Sequence, residues 1–289
     1  MIRCPSCDQD PYDSALEVCP RCGFEPPTIE GFRAWAPDLA KGGGGFKSDY
    51  FSDLASGEKN HFWFTSRNAL IIWALEKYFP QFHTYLEVGC GTGFVLSGVA
   101  TAFPDALISA SEVFSIGLKY AAQRVPNARL TQMDARHIPF EQEFDVIGVF
   151  DVIEHIVEDD LVLDQLHKAL KEGGGLLMTV PQHPWLWSPA DDYACHERRY
   201  TASQLHALVE AAGFKILRTT SFVSVLLPAL ILSRLSAKRH EDFDPLSEVR
   251  INPLINYLLT NALTIERWLI RMGISMPFGG SRFLAAVKV

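Results

Sequence analysis

The sequence predicts an α/β protein built around a parallel, doubly wound sheet. Short apolar runs alternate with helical patterns between residues 85 and 212, which is the order produced by parallel strands and their crossover helices. The run at 146–150 is apolar at almost every position, as expected for a strand that helices cover on both faces. A glycine-rich loop follows the first of these runs, at the position where such sheets bind ligands.

The individual elements are predicted from their apolar spacing. A first helix is expected to begin at Ser66, which can cap it, to bury Leu70 and Leu75, and to end before Pro80. The predicted strands then occupy 85–88, 107–110, 129–132, 146–150 and 176–180, and the predicted helices 94–103, 115–124, 159–171 and 202–212. Beyond residue 214 we expect a strand at 215–221, a helical insert or cap at 222–280, and a last strand at 283–289.

Composition limits the functional classes. The chain has 289 residues, 48% of them apolar and 21% charged, which is enough for one large domain with an appendage. A net charge of −8 without a basic stripe argues against a nucleic-acid partner. The first residues lack the apolar stretch of a secretory signal, and the longest apolar run, at 222–232, is shorter than the ~20 residues that span a bilayer. We therefore expect a soluble, cytoplasmic protein.

Four of the six cysteines form two Cys-x-x-Cys pairs near the N-terminus. The pair Cys4 and Cys7 is separated from the pair Cys19 and Cys22 by 11 residues, and four thiolates in this pattern make a closed, tetrahedral zinc site. The alternative, a pair of disulfides, is disfavoured in a reducing cytosol. We therefore predict a structural zinc ribbon at 1–28. A linker at 29–60, which contains four consecutive glycines, is expected to join it to the main domain at 61–289.

The glycine-rich loop differs from the two common phosphate-binding loops. Gly89, Gly91 and Gly93 stand at alternate positions, which allows the backbone to turn sharply and to approach a ligand closely. The dinucleotide-binding motif would place a further glycine where this chain has Phe94, and the P-loop would need a Lys-Ser/Thr pair that is absent here. The loop therefore predicts a close-lying ligand with no required phosphate.

Three acidic residues indicate the chemistry of that ligand. Glu112 ends the second strand, 21 residues after Gly91, where a carboxylate can bind both hydroxyls of a ribose. Asp134 ends the third strand and, with Ala135 after it, can bind the exocyclic amine of an adenine-like base. Glu87, just before the loop, can bind an ammonium group. The predicted ligand carries a ribose, an adenine-like base and a positive charge.

These motifs, with the segment that runs from Asp151 to His155, resemble those of class I S-adenosylmethionine-dependent methyltransferases over about residues 60–220. Within this class, the motifs of the chain resemble most those of small-molecule enzymes similar to the ubiquinone-biosynthesis O-methyltransferases. The resemblance implies a Rossmann-like sheet of seven strands whose last strand is antiparallel. It also implies S-adenosylmethionine as the cofactor, held by Gly89, Cys90, Gly91 and Gly93 at its methionine and ribose, by Glu112 at the ribose, by Asp134 and Ala135 at the adenine, and by Asp151 near the sulfonium. The family more often has Asp where this chain has Glu112, whose longer side chain keeps both carboxylate oxygens.

Three histidines are candidates for the catalytic base that takes the proton of a hydroxyl acceptor. His155 follows Asp151 by one helical turn and can face the cofactor. The alternatives for His155 are a structural role at the helix start, or a metal site with Asp151 and Glu154, although helical spacing turns Glu154 away from one of the others. His183 and His196 lie in a loop after the fifth strand that also contains two tryptophans, which suits an acceptor ring or a cation. The alternative is a surface loop that buries its tryptophans.

The region before the first strand is expected to cover the cofactor. Arg67 is a candidate partner for the methionine carboxylate, and Trp63 is a candidate lid. The equally weighted alternative is a helix start packed by its aromatic side chains.

The apolar tail gives the least specific prediction. Residues 222–240 combine an apolar segment with basic residues, which permits peripheral membrane contact or a lipid-like substrate. A helical cap over the site or a homodimer interface is the preferred interpretation. We therefore expect a methyltransferase that acts on a small or lipid-like acceptor at oxygen. The alternatives are a non-catalytic module that senses the cofactor and binds a partner through its zinc ribbon and, less favoured, a macromolecule methyltransferase.

Overall fold

Nine strands form one mixed sheet in the computed structural model, which describes residues 1–7, 12–13, 16, 18–42, 50–237 and 251–289. The strands are β1 (Thr28–Ile29), β2 (Phe32–Ala34), β3 (Thr84–Val88), β4 (Leu107–Glu112), β5 (Arg129–Gln132), β6 (Phe144–Phe150), β7 (Leu170–Pro181), β8 (Phe214–Phe222) and β9 (Ser281–Lys288). Their order across the sheet is β1-β2-β5-β4-β3-β6-β7-β9-β8.

The helices lie between these strands and before the first parallel one. They are α1 (Tyr50–Gly57), α2 (Phe62–Tyr78), α3 (Phe94–Ala102), α4 (Ser115–Arg124), α5 (Asp159–Ala169), α6 (Pro189–Tyr193), α7 (Ala202–Ala211), α8 (Leu227–Ala237) and α9 (Pro253–Arg271). Short 3-10 turns occur at Pro37–Leu39, Glu58–Asn60, Ile153–His155 and Pro184–Leu186.

The seven strands from β5 to β8 in this order confirm the predicted Rossmann-like architecture. The strands β3, β4, β5, β6 and β7 pair in parallel, whereas β9 pairs antiparallel with both β7 and β8. The helices α3, α4 and α5 each connect two parallel strands, as the alternation predicts. β7 is longer than predicted because it begins directly after α5, in a glycine-rich stretch that lacks a strand-like apolar pattern.

The segment at 29–60 differs from the expected linker. Its first part adds β1 and β2 to the sheet, where Arg33 pairs with Thr131 and Ala34 with Gln132 of β5. Strands of two and three residues carry no readable apolar alternation, so only the open edge of β5 determines that they form. The segment also contains α1, and its residues 43–49, with most of the four-glycine run, lie outside the described residues.

The helices form an apolar core on each face of the sheet. One core joins α2, α3, α4 and α9 to the sheet through residues such as Leu70, Leu118 and Leu263. The other joins α5 and α7 through residues such as Leu163 and Leu205. Each fully buried leucine contributes about 1.5–3 kcal/mol. The two cores hold the carboxyl ends of the parallel strands in fixed positions relative to one another.

α2 begins four residues earlier than predicted. Its N-cap is His61, whose Nδ1 accepts the backbone N–H of Trp63 at 3.3 Å. The expectation that Ser66 caps this helix is wrong, because Ser66 is buried inside it. The predicted end is correct, since Phe79 is the C-cap and Pro80 follows. The aromatic residues before Ser66 therefore belong to the first helical turn.

The N-terminal segment packs against the loop between β5 and β6. Ile2 forms bridges with Tyr12 and Phe140, and the backbone N–H of Arg3 donates to the Pro139 carbonyl at 2.7 Å. The Arg3 guanidinium donates to Glu141 at 2.8 Å. This segment is therefore fixed to the loop that follows the third parallel strand.

The insert between β8 and β9 contains α8 and α9, and its residues 238–250 lie outside the described residues, including the predicted basic residues Lys238 and Arg239. α9 packs on the core through Leu263 and Ile270. No helix among the described residues combines the length and apolar character needed to cross a membrane.

Candidate active site

A cavity of about 1210 Å³ opens at the carboxyl ends of β3, β4, β6 and β7, the edge where open α/β sheets bind ligands. It is lined by the glycine-rich loop, by α1 and the first turn of α2, by the turn after β6, by residues of the loop that contains α6, and by α8. All the predicted cofactor residues line it except Gly93.

The glycine-rich loop uses its glycines in two different ways. Gly91 lines the cavity with φ +54°, and a Cβ there would meet only the Phe51 ring, at 4.0 Å. Gly93 has φ +76° and is the N-cap of α3, and a Cβ there would lie 2.8 Å from the Ala121 Cα in α4. The structure therefore places Gly93 against a helix backbone instead of along the cavity, so its role is to pack the loop.

Glu112 fixes the glycine-rich loop and faces the same cavity. Its carboxylate accepts the backbone N–H of Gly91 at 3.0 Å and that of Phe114 at 3.2 Å. Burial raises the pKa of Glu112, while these two hydrogen bonds act in the opposite direction. One side chain therefore links the end of β4 to the loop after β3.

Asp134 is held by a neighbouring arginine. The Arg136 Nε and Nη2 donate to its Oδ2 at 3.0 and 2.9 Å, and the Arg136 backbone N–H donates to its Oδ1 at 2.9 Å. Burial opposes ionisation, but Arg136 outweighs burial and lowers the pKa of Asp134. Asp134 and Ala135 both line the cavity, so an ionised carboxylate is present at the predicted adenine end.

Glu87 and Cys90 are buried acids that stay protonated. Burial raises the pKa of Glu87 to about 8, although the nearby Arg67 charge acts against it. The Tyr85 hydroxyl donates to Glu87 Oε2 at 3.4 Å. Burial, followed by the charge of Glu112, raises the pKa of the Cys90 thiol. Both side chains line the cavity.

Arg67 and Asp151 form an ion pair inside the cavity. The Arg67 guanidinium also lies 4.2 Å from the ring centre of Trp63. Asp151 has φ +56°, a strained conformation for a residue with a Cβ, directly after β6. The structure thus brings both predicted residues together, on the first turns of α2 and at the end of a strand.

His155 and His196 meet in the cavity beside Glu154. A carboxylate oxygen of Glu154 and one ring nitrogen of each histidine all lie within 4.8 Å of one another, and the centres of the two imidazole rings are 4.7 Å apart. Burial, with a further contribution from His196, lowers the pKa of His155 to about 4, so its ring is neutral. Burial and the charge of Asp151 raise the pKa of Glu154. Asp151 is not part of this group, in agreement with the spacing argument against a site made of Asp151, Glu154 and His155; the third member, His196, comes from another loop.

A carboxylate orients His196. Its Nδ1 lies 2.9 Å from Asp191 Oδ1. Asp191 also accepts two hydrogen bonds from Arg199, at 2.7 and 3.1 Å, and the backbone N–H of Ser188 at 2.8 Å. Burial opposes ionisation of Asp191, but His196 and Arg199 together hold its pKa well below the usual range. This is a charged, rigid support for one cavity histidine.

The structure places His183 and the two loop tryptophans outside the cavity lining that the described residues form. His183 is absent from the described residues that line the cavity, and it stacks between Trp185 at 5.1 Å and Phe278 at 5.7 Å. The Trp187 Nε1 donates to Asp192 at 2.9 Å, and neither tryptophan lines the cavity among the described residues. Phe278, which belongs to the β8–β9 insert, thus packs on a ring that sequence reasoning placed in the site.

Sequence reasoning missed the residues of the 29–60 segment that cover the loop. Glu58 accepts from the Thr92 hydroxyl at 2.7 Å and forms an ion pair with Arg124 at 2.7 Å. Phe51 in α1 contacts the ring of Phe114 and lines the cavity. No sequence signal identified them, since a charged residue and an aromatic residue in a glycine-containing segment match no motif.

The apolar part of the cavity comes from the insert and the turn before it. Its side chains are aliphatic and lie on α8, on α9 and on the segment between β8 and α8: Val223, Leu226, Ala229, Leu230 and Leu259. The lining of this cavity therefore combines ionised side chains with apolar ones.

The four N-terminal cysteines fit a zinc ion. Their Sγ atoms all lie within 4.8 Å of one another, with Cys4 and Cys22 at 3.6 Å and Cys7 and Cys19 at 3.8 Å. Sulfurs bound tetrahedrally to zinc at about 2.3 Å are separated by about 3.8 Å. A disulfide needs about 2.05 Å between sulfurs, and none of the six cysteines, all of which the structure describes, forms one. The arrangement therefore favours the zinc ribbon over the disulfide alternative.

Comparison with known proteins agrees with this geometry. A family model described as a methyltransferase domain matches residues 60–219. A Mycolicibacterium smegmatis protein named "Probable S-adenosylmethionine-dependent methyltransferase" is 31% identical over 142 residues, which are 45% of this chain and 51% of that protein. A malonyl-[acyl-carrier protein] O-methyltransferase of Halalkalibacterium halodurans is 28% identical over 149 residues, 49% of this chain and 53% of that protein. The chain spans about half the length of these curated relatives.

The fold is also similar to solved structures. Phosphoethanolamine N-methyltransferase 2 of Haemonchus contortus, solved with S-adenosyl-L-methionine, has a TM-score of 0.56 and 20% identity, with 84% of this chain and 57% of that chain covered. At this identity the likeness concerns the fold alone.

Proposed function

Since the chain belongs to the methyltransferase domain family, we propose that it transfers a methyl group from S-adenosylmethionine to the oxygen of a small or lipid-like acceptor. The observation that carries the proposal is the single cavity. Along one continuous lining it brings together the glycine-rich loop, the carboxylates at three strand ends, two histidines and the apolar side chains of the insert.

The proposed cofactor contacts use the predicted residues that line the cavity. Gly89, Cys90 and Gly91 pack against the methionine and ribose portions, and Glu112, already tied to the Gly91 backbone, receives the ribose hydroxyls. Asp134 and Ala135 receive the adenine, since the Asp134 carboxylate is ionised and can accept from an exocyclic amine.

The methionine end is proposed to lie among Glu87, Arg67 and Asp151. Glu87, just before the loop, has carboxyl oxygens that can accept hydrogen bonds from the ammonium group, and Arg67 can pair with the carboxylate. Because Arg67 pairs with Asp151, it is held in the cavity before any ligand binds. Asp151 then lies near the sulfonium, and its negative charge attracts the positively charged donor.

In the proposed reaction an acceptor oxygen attacks the methyl carbon in line with the carbon–sulfur bond. That bond breaks with its electron pair left on sulfur, which gives S-adenosylhomocysteine, and the hydroxyl proton leaves the acceptor. The enzyme's contribution is to align the two reactants at about 3–3.5 Å and to exclude water. His155 and His196 are proposed to bind the acceptor oxygen and assist the loss of its proton; His183, outside the lining, is not retained for this role.

The apolar lining supports an acceptor with a hydrocarbon portion. Leu226, Leu230 and Leu259 can bury such a portion, at a gain of about 25 cal/mol per Å² of apolar surface. The malonyl-[acyl-carrier protein] O-methyltransferases among the curated relatives are named for an acceptor that a carrier protein presents, and for transfer to oxygen. Both points favour an oxygen acceptor on a carbon chain.

A homodimer is proposed through the outer face of α9. Leu254, Leu258, Ile265 and Trp268 are all exposed, at a spacing of four, seven and three residues that fits a 3.5-residue repeat. The proposed membrane contact at 222–240 depends partly on 238–240, which lie outside the described residues. The division into a zinc ribbon at 1–28 and a methyltransferase domain at 61–289 is likewise proposed.

The test uses methyl-labelled S-adenosylmethionine and a fractionated extract of the source cells. Label in a small-molecule or organic-phase fraction, or on an acyl group carried by an acyl-carrier protein, supports the proposal, and label confined to other macromolecules contradicts it. Asp134→Ala should abolish cofactor binding, and His196→Ala should preserve binding while it reduces turnover. If His196→Ala and His155→Ala both keep full turnover, the assignment of the histidines is wrong.

A further inference from the structure

Glu154 carries a buried carboxyl group whose oxygens have no hydrogen-bond partner among the described residues. Its side chain has 0% exposure. Buried carboxyl oxygens are nearly always satisfied by donors or cations, because removing them from water is costly. The two nearby arginines form ion pairs with other carboxylates, Arg67 with Asp151 and Arg199 with Asp191. Among the described residues, neither oxygen of Glu154 therefore has a hydrogen-bond donor.

The nearest nitrogen atoms are suited to bind a metal ion together with this carboxylate. Ligand-type atoms of Glu154, His155 and His196 lie within 4.8 Å of one another, and all three residues line the cavity. Bound to one ion at about 2.0–2.2 Å each, these atoms would lie about 3–3.5 Å apart, so small side-chain rotations close the site. One carboxylate and two imidazoles are typical of a divalent transition-metal site.

The environment of His196 supplies a second, independent feature of metal sites. Its Nδ1 lies 2.9 Å from Asp191, which leaves Nε2 free for a ligand role. Histidines that bind metals usually donate their other ring N–H to a carboxylate, which fixes the tautomer and the ring orientation. Asp191 is itself held by Arg199 at 2.7 Å. His196 is thus oriented as a metal ligand.

We propose that Glu154, His155 and His196 bind one divalent transition-metal ion, such as Mn²⁺ or Zn²⁺, in the cavity. Three protein ligands leave coordination positions open to the acceptor, as in catalytic metal sites. The proposal rests on the proposed function and specifies it: the bound ion would hold the acceptor hydroxyl and stabilise the negative charge on its oxygen, so that the hydroxyl proton would pass to solvent and the oxygen would then attack the methyl carbon. No electron transfer occurs, and His155 and His196 then act on the acceptor oxygen through the ion that they bind, and not by direct contact with that oxygen.

This site differs chemically from the N-terminal cysteine site. The ribbon offers four thiolates, which prefer zinc, and it leaves no position open. The cavity site offers oxygen and nitrogen, which also suit Mn²⁺. An experiment with Mn²⁺ on the full chain loaded with zinc at the ribbon therefore reports on the cavity site.

The test is a titration of the full, zinc-containing chain with Mn²⁺, followed by electron paramagnetic resonance, which detects the free ion. We expect one bound equivalent in the unmodified protein. Binding should weaken at least tenfold in Glu154→Gln, His155→Ala and His196→Ala, and 10–100-fold in Asp191→Asn, which removes only the support of a ligand. His83→Ala, which removes an exposed histidine outside the cavity, is the matched control and should bind like the unmodified protein. Circular dichroism confirms that each variant is folded.

Two results would overturn the metal site: no bound Mn²⁺ or second Zn²⁺ in the unmodified protein, or equal binding in all four site variants. Glu154→Gln is nearly isosteric, so it keeps the test decisive if an alanine variant does not fold. Calorimetric binding of S-adenosylmethionine is measured in the same samples. Methyl transfer without a bound cation would refute the metal site alone, whereas failure to bind S-adenosylmethionine would refute the proposed function.

Discussion

Gly93→Ala should destabilise the protein much more than Gly91→Ala, although both glycines have left-handed backbone conformations in one loop. Their φ values are +76° and +54°, so an alanine at either position pays the left-handed strain of about 1–2 kcal/mol. Only Gly93 has a neighbour in the way: its Cβ would lie 2.8 Å from the Cα and 2.9 Å from the Cβ of Ala121. At Gly91 the nearest atom is 4.0 Å away.

The overlap at Gly93 involves helix backbone and cannot be relieved by rotating a side chain. Overpacking of this kind costs about 1–3 kcal/mol, which adds to the strain and gives a total loss of about 2–5 kcal/mol. Gly91→Ala should lose only about 1–2 kcal/mol in stability. Because Gly91 lines the cavity, that variant should instead lose affinity for S-adenosylmethionine, while folded Gly93→Ala should retain it.

Urea unfolding followed by tryptophan fluorescence gives the free energies of unfolding, and calorimetry gives the cofactor affinities. The slope with urea should be the same in both variants, so that the midpoints can be compared directly. Equal destabilisation would show that the loop is not packed on α4 as described. Loss of affinity in Gly93→Ala with unchanged affinity in Gly91→Ala would reverse the assignment of the two glycines.

Three further predictions concern pH, zinc and assembly. Glu87 holds its proton more tightly in the folded state than in the unfolded state. Between pH 4.5 and 8 the free energy of unfolding should therefore fall by up to about 1.4 kcal/mol per pH unit relative to that of Glu87→Gln. Urea unfolding across that range measures both proteins, and parallel pH profiles would contradict the prediction. Removal of the proposed zinc ion with a chelator, or the substitution Cys22→Ser, should weaken S-adenosylmethionine binding on the order of tenfold. The reason is that the ribbon packs on the loop that follows Asp134. An unchanged affinity in calorimetry would show that the cysteine site and the cofactor site are not coupled. Leu258→Glu should convert the proposed dimer to a monomer in light scattering, whereas Thr264→Glu, beside the apolar face, should not. If the unmodified chain is a monomer, the homodimer proposal is wrong. Vesicle binding then tests the membrane alternative.

The parts of the site that the sequence predicted are those that depend on local position. Glu112 and Asp134 each follow a strand, and strand ends in a parallel sheet meet at one edge, so their place in the cavity follows from the alternation alone. The loop between Gly89 and Gly93 was located for the same reason, although its last glycine packs on a helix.

The parts that were missed depend on contacts between distant segments. His183 and His196 occupy the same loop, and only the path set by Phe278 and Asp191 separates a stacked histidine from one in the cavity. The pairing of β2 with β5 depends on the open edge of β5, and the sequence of residues 32–34 does not predict it. The proximity of Glu154 and His155 to His196 could not be predicted, because His196 lies about 40 residues further along the chain and local spacing relates only neighbouring residues.

The pairing of β1 and β2 with β5 also determines how the protein can be shortened. An unpaired edge strand exposes a row of backbone N–H and C=O groups that another chain can pair with, which leads to aggregation. A fragment that starts at residue 61 would keep every strand-end carboxylate of the cavity but would uncover the edge of β5 next to Thr131 and Gln132. Such a fragment would self-associate through its sheet. The segment between the cysteines and the catalytic domain therefore covers an edge strand that would otherwise promote aggregation. A shortened chain should begin no later than residue 28, so that β1 and β2 are kept.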